Sequence, residues 1–163
     1  MPATYEPIQT TTLGSSTNSY TFSSIPGTYT DLIVVQSGTT TDGTGIRLRF
    51  NGDTGSNYSN TILFGTGSTQ GSAKESSITS IRMTYESSGQ TTDIGIRIAN
   101  IQNYSNATTY KTAITRGNRA SGGVDLIAGV WRNTAAITSV TVFGSDFNLA
   151  AGTTITLYGI KAA

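Results

Sequence analysis

The 163-residue sequence contains no cysteine and no histidine. Without cysteine there is no disulfide, no thiolate metal site and no thiol nucleophile. Without histidine the chain lacks the commonest general base and metal ligand, which excludes Ser-His-Asp and Cys-His catalysis and His-ligated zinc or iron. The two absences predict a protein that is not an enzyme and that holds no cofactor.

Charge is also scarce, since only 12% of the residues are charged and the formal net charge is +1. A nucleic-acid-binding domain would show a marked basic excess, so no nucleic-acid partner is predicted. Thr, Ser and Gly fill the remaining polar positions and make the surface neutral and weakly self-repelling. Such a surface fits a protein embedded in contacts with neighbours, and it equally fits an ordinary β-sandwich with a Thr-rich outer face.

Long apolar runs are missing as well. No segment approaches the roughly 20 residues that a membrane-spanning helix needs, so no membrane association is expected. The opening residues, MPATYEPIQTTT, have neither the basic nor the apolar region of a secretory signal peptide. No window sustains the apolar spacing of an ordinary helix.

What the sequence does contain is short alternating segments rich in Thr, Val, Ile and Tyr, separated by turn residues. They predict an all-β chain, with residues 1–163 forming a single β-sandwich domain of jelly-roll type and about nine to ten short antiparallel strands. Residues 66–77 show no period and are predicted to be a flexible polar stretch. Residues 86–90 are predicted to form a turn.

Residues 45–65 read as strand, turn and strand. Ile46, Leu48 and Phe50 alternate with Arg47 and Arg49, which predicts one buried face and one outward face. The turn at 51–57 collects Asn, Gly, Asp and Ser, residues that bond their own backbone or accept positive φ.

The cleanest alternation lies at residues 92–101. It predicts that Ile94, Ile96 and Ile98 are buried and that Arg97 points outward, as Arg47, Arg49 and Arg82 do on their strands. Trp131, the only tryptophan, stands in an apolar run and is predicted to pack in the core.

A local repeat joins these strands to two turns. Gly-Ile-Arg-Leu at 45–48 resembles Gly-Ile-Arg-Ile at 95–98, and Asn-Tyr-Ser-Asn occurs at both 57–60 and 103–106. Either the turns form one contact surface at one end of the sandwich, or they are ordinary Asn-rich turns of a β protein. The first interpretation gives the candidate interface residues Arg47, Arg49, Arg97, Asn57, Tyr58, Asn103 and Tyr104.

Other side chains give weaker signals. Asp42, Asp53 and Asp146 lie in Gly/Asn-rich loops, but a calcium loop needs several spaced carboxylates, so turn chemistry explains them better. The acids show no pairing of the kind that glycoside hydrolysis requires. Outward aromatic rings are able to stack on sugars, and the candidates are Tyr58, Tyr85, Tyr104, Tyr110 and Trp131.

Five segments together resemble a family of small virion structural proteins of tailed bacteriophages, frequent in aquatic and cyanobacterial phages. They are MPATYEPI at the start, RFNGDTGSNYS at 49–59, NYSNATTYKT at 103–112, WRNTAAITSVT at 131–141 and LYGIKAA at the end. The resemblance implies a particle component located in the virion and assembled in the bacterial host cytoplasm. It carries over no catalytic residue.

Within that family the expected role is a capsid decoration, or cement, protein that bridges capsomers. Its expected partners are the major capsid protein and copies of itself, as a homotrimer. The alternative is a tail fibre or receptor-binding module that recognises host-surface glycan.

Overall fold

The computed structural model describes residues 4–42, 45–85 and 91–161, and these residues contain twelve β-strands and no helix. The predicted turn at 86–90 lies outside the described residues. The strands are β1 (Tyr5–Thr12), β2 (Ser19–Phe22), β3 (Asp31–Gly38), β4 (Ile46–Phe50), β5 (Tyr58–Thr66), β6 (Gln70–Ile78), β7 (Ile81–Arg82), β8 (Gly95–Gln102), β9 (Lys111–Arg119), β10 (Gly123–Trp131), β11 (Val140–Gly144) and β12 (Thr154–Ile160).

The strands form two sheets in which every pairing is antiparallel. The large sheet has eight strands in the order β1-β12-β3-β8-β9-β10-β5-β6, and the small sheet has four in the order β2-β11-β4-β7. The chain crosses repeatedly from one sheet to the other, which makes the sandwich jelly-roll-like. The predicted fold class is therefore confirmed, with twelve described strands in place of nine to ten.

The additional strands fall where the sequence pattern is weakest. Residues 66–77 were predicted to be a flexible polar stretch, but most of them form β6, the edge strand that pairs with β5. Glu75 on β6 accepts two hydrogen bonds from the guanidinium of Arg82 on β7, with N–O distances of 2.8 and 2.7 Å. This ion pair joins the edge of the large sheet to the edge of the small one.

The inner faces of the two sheets share one hydrophobic core. An aromatic group at one end of this core connects the sheets, because Phe50 comes from β4 while Tyr58 and Trp131 come from β5 and β10. The ring of Trp131 lies 5.6 Å from that of Phe50 and 6.2 Å from that of Tyr58. The predicted core position of Trp131 is confirmed, since its side chain is 1% exposed.

On strand β4 the buried and outward residues are the predicted ones. Ile46, Leu48 and Phe50 are fully buried, and Arg47 and Arg49 are half-buried on the outward face of the small sheet. Here the two faces of the strand differ clearly in polarity, so burial follows the period-2 pattern.

On strand β8 the inward and outward faces are the reverse of the predicted ones. Ile94, just before the strand, is 71% exposed and Ile96 is 46% exposed, while Ile98 is half-buried. Arg97 is fully buried between the sheets. The prediction that the isoleucines face the core and that Arg97 faces outward is therefore wrong.

The physical reason is that close neighbours cover inward positions of β8 and β10. Ile81 on β7 packs so tightly on Gly129 of β10 that a Cβ at residue 129 would lie 2.5 Å from the Ile81 Cγ2 atom. At Gly95 a Cβ would lie 2.4 Å from a nitrogen of the Arg97 guanidinium. Several inward positions of the central strands therefore hold small residues, and large apolar side chains occupy outward positions.

Replacing Ile101 with alanine should lower the free energy of unfolding by about 2–5 kcal/mol, because this inward side chain of β8 is fully buried. The matched substitution Ile96→Ala lies on the outward face of the same strand and should change it by about 0.5 kcal/mol or less. Urea denaturation of both variants measures the difference. Equal losses of unfolding free energy would contradict the inward position of Ile101 and the outward position of Ile96.

Candidate interaction surfaces

The outward side of the large sheet carries a broad apolar surface. Its members project from the central strands on the side away from the small sheet, and several of them, such as Val124 and Leu63, are more than half exposed. We call this surface the outer sheet face. It consists of Ile33, Val35, Leu63, Ile96, Ile98, Ile114, Arg116, Val124, Leu126 and Tyr158.

Cross-strand register places these side chains in continuous rows. One row runs Val35, Ile98, Arg116, Leu126 and Leu63 across five strands of the sheet. Exposed contiguous apolar surface on this scale marks an interaction site, because water solvates it poorly. Sequence reasoning missed this surface because it assigned the same isoleucines to the core.

A second surface lies on the outward face of the small sheet. The guanidinium carbon of Arg49 sits 4.5 Å from the centre of the Phe143 ring, and its Nε donates to the Thr79 carbonyl at 3.3 Å. An Arg47 Nη atom lies 3.4 Å from the Ser80 hydroxyl. These residues line a depression of about 470 Å³.

Burial lowers the pKa of the Arg47 guanidinium and the nearby Arg82 charge adds to this shift, while Glu75 and Asp146 oppose it. The predicted outward positions of Arg47 and Arg49 are thus confirmed. Arg82 is taken up by its ion pair with Glu75 at 2.7 Å.

Arg97 does not belong to either surface. Its guanidinium donates to the Gln36 side-chain oxygen at 3.2 Å and to the Gly38 carbonyl at 3.1 Å inside the sandwich. Burial lowers its pKa to about 10, with Arg119 adding to the shift and Asp125 opposing it. The side chain therefore stays charged at neutral pH and serves the interior, so its assignment as a candidate interface residue is corrected.

The two tyrosines of the repeated turns are buried as well. The Tyr58 hydroxyl bonds both the amide and the carbonyl of Phe50, at 3.1 and 3.3 Å. The Tyr104 hydroxyl donates to the Pro26 carbonyl and accepts from the Tyr29 amide. Both turns contact the connection between β10 and β11, so they do lie at the same end. Their rings, however, are not available as a contact surface.

The asparagines of these turns have local roles. The Asn57 amide donates to an Asp53 carboxylate oxygen at 2.9 Å. Asn103 adopts a positive φ of 50°, and its backbone amide donates to Asp31 at 2.7 Å. Asn103 is exposed and Asn57 is half-buried, and both fit the turn chemistry that asparagine favours.

Both oxygens of the Asp53 carboxylate accept hydrogen bonds. It accepts hydrogen bonds from the Trp131 indole at 2.7 Å, from Asn57, and from the Gly55 amide at 2.8 Å. Burial alone would raise its pKa, but these donors outweigh burial and hold the pKa below its ordinary value. Its oxygens are occupied by protein donors, which supports the turn interpretation over a calcium site.

The predicted sugar-stacking aromatics do not form an exposed cluster. Trp131, Tyr58 and Tyr104 are buried, and Tyr85 packs against Phe64 with ring centres 5.2 Å apart. Tyr110 is exposed. The described residues hold no group of three or more acids able to bind a metal, and they include no helix long and apolar enough to span a membrane.

Asp53→Asn should lower the free energy of unfolding at pH 7 by about 1–3 kcal/mol, because the buried indole and amide donors lose their charged acceptor. A lowered folded-state pKa gives stability that is complete above the ordinary value of 3.8 and is lost as the pH falls through the lowered value. The deficit relative to wild type should therefore shrink below pH 3.8.

Urea unfolding at several pH values, followed by Trp131 fluorescence, measures this deficit. Asp146→Asn, at an exposed turn position, is the control and should change stability by about 0.5 kcal/mol or less. A deficit for Asp53→Asn that is the same at pH 3 and pH 7 would argue against the charged acceptor.

Comparison with known proteins identifies no relative by sequence, since no family model and no curated protein matches the chain. Among solved structures, the chain is similar to exo-inulinase from Aspergillus awamori, with a TM-score of 0.44 and 11% identity. The match covers 96% of this chain and 29% of the inulinase chain. A likeness at this level carries no information on activity.

Proposed function

We propose that this protein is a non-enzymatic structural protein of a tailed-bacteriophage particle, and that it decorates the outer surface of the head shell. The observation that carries the proposal is the outer sheet face, where Ile96, Val124 and Leu126 are exposed on a rigid sheet. A monomeric soluble protein rarely leaves such a contiguous apolar patch uncovered, so a binding surface explains it best. The proposal that the binding partner is a phage particle rests on the resemblance to phage virion proteins.

In this role the protein acts mechanically. Contact across neighbouring copies of the major capsid protein adds interface area, on the order of 1,200–2,000 Å² for a stable contact. Because the added binding free energy exists only in the assembled shell, it stabilises the shell against opening. Neither nucleic acid nor membrane takes part, and the protein is located in the virion after assembly in the host cytoplasm.

A tail module that binds host glycan is the competing function. It calls for exposed aromatic rings around a groove, whereas Tyr58, Tyr104 and Trp131 are buried. The arrangement of the aromatics therefore favours the head over the tail.

Phage particles that lack this protein should still assemble but release their DNA at lower temperature or after milder osmotic shock than wild-type particles. The reason is that the lost contacts stabilise only the closed shell. Adsorption to host cells should be unchanged. Particles with normal heat resistance and poor adsorption would reject the head assignment and support the tail module.

The proposed assembly is a homotrimer, since a neutral jelly-roll sandwich packs side by side around a three-fold axis. Light scattering of the purified protein at micromolar concentration should give three times the monomer mass. A monomer mass in solution, with single copies on the particle, would exclude the trimer.

A further inference from the structure

One charged side chain stands in the middle of the outer sheet face. Arg116 on β9 is exposed, and it faces Ile98 on β8 and Leu126 on β10. Cross-strand register also gives its remaining neighbours on this face, of which all but two asparagines are apolar: Ile96, Asn100, Ile114, Asn118, Val124 and Ala128.

Arg116 has no partner among the residues that the structure describes. Within the described ranges, no hydrogen bond or ion pair involves its guanidinium, in contrast to Arg82, which is held by Glu75. Two acids of the large sheet have other partners. Asp125 is buried on the inner side of β10 and accepts from the Tyr85 amide at 2.6 Å. Asp31, at the start of β3, accepts from the Asn103 amide.

The surface around Arg116 is shaped as well as apolar. A depression of about 350 Å³ lies on one side, and its lining includes Ile96, Ile98 and Val124 as well as the largely buried Asp125. A second depression of about 400 Å³ lies on the other side, lined by Val35 and Tyr158 among others. Arg116 borders both, so a partner with apolar groups in the two depressions would bring its intervening atoms over the guanidinium.

Covering this arginine with purely apolar atoms would be unfavourable, because a guanidinium removed from water needs a counter-charge. A second copy of the chain supplies none in a face-to-face contact, since the outer sheet face contains no carboxylate. A two-fold contact would bring two identical surfaces together, each with an unneutralised arginine at its centre.

We propose that the outer sheet face receives an apolar segment of a different protein, and that this segment carries a carboxylate side chain that pairs with Arg116. The apolar groups fill the two depressions, and the carboxylate accepts a bidentate hydrogen bond from the guanidinium. This inference rests on the proposed function, because it names the chemistry of the partner at the same surface. On the particle the partner is an acidic, apolar segment of the shell protein.

A small probe tests the chemistry without the particle. Decanoate combines an apolar chain with a carboxylate, and decyltrimethylammonium carries an alkyl chain one carbon longer with a positive charge. Titrated below their micelle concentrations, decanoate should shift the methyl NMR signals of Ile98, Ile114 and Leu126, and the cation should bind at least tenfold more weakly.

Variants separate the charge from the apolar surface. Arg116→Gln should weaken decanoate binding about tenfold or more, because a charge-assisted hydrogen bond is lost. Arg116→Glu should reverse the preference between the two probes. Lys74→Gln is the matched control, since Lys74 is an exposed cation on the edge strand β6, and it should leave binding unchanged. Equal binding of both probes, or an unaffected Arg116→Gln variant, overturns the inference.

Binding to shells from deletion particles separates this inference from the proposed function. If the wild-type protein binds the shells and neither Leu126→Ser nor Arg116→Glu does, the result supports both the proposed function and the carboxylate partner. If only Leu126→Ser fails to bind the shells, the outer sheet face is still the docking surface, but the inference of a carboxylate partner is overturned. If the wild-type protein does not bind the shells but still prefers decanoate to the cation in a way that depends on Arg116, only the proposed function fails. A self-association that Arg116→Glu abolishes would identify a second copy as the occupant and overturn the inference.

Discussion

The contact between β7, at the edge of the small sheet, and β10 of the large sheet constrains the architecture of this sandwich. Ile81 of the short strand β7 lies against Gly129, and no side chain larger than hydrogen fits there without displacement. Inward positions of the central strands β8, β9 and β10 hold small residues such as Gly95, Ala113 and Gly129. Core volume comes from both sheets, with Leu48 and Val142 in the small sheet, Ile101 and Leu157 in the large one, and the aromatic group around Trp131.

This constraint also explains how far the sequence predicts the structure. The class, the period-2 strands, the register of β4 and the core position of Trp131 follow from local patterns, because each has one clearly apolar side. On β8 the pattern groups Ile96 with Ile98 but does not say which way they point. That direction depends on the buried site that holds Arg97, which Gln36 and Gly38 of β3 supply, and no local window contains these residues.

The candidate interface divides along the same line. Arg47 and Arg49 were predictable, since they alternate with large apolar residues that fill the core. Tyr58 and Tyr104 were not, because an identical Asn-Tyr-Ser-Asn motif suits an exposed loop as well as a buried anchor. The structure uses both tyrosines as anchors that tie a turn to a distant backbone segment. The outer sheet face requires all six contributing strands to be placed before its residues come together.

The pairing of β1 with β12 has a consequence for how the protein is made. These strands are separated by almost the whole described chain, yet they pair along their length from Tyr5–Ile160 to Thr12–Thr154. Pairing of strands so distant in sequence makes folding slow, because the entropy cost of closing the long loop comes before the stabilising contacts form. On the ribosome, β1 stays an unpaired edge until synthesis has passed Ile160. The polar threonines and the proline along β1 suit that interval, because they make the waiting strand a poor template for aggregation.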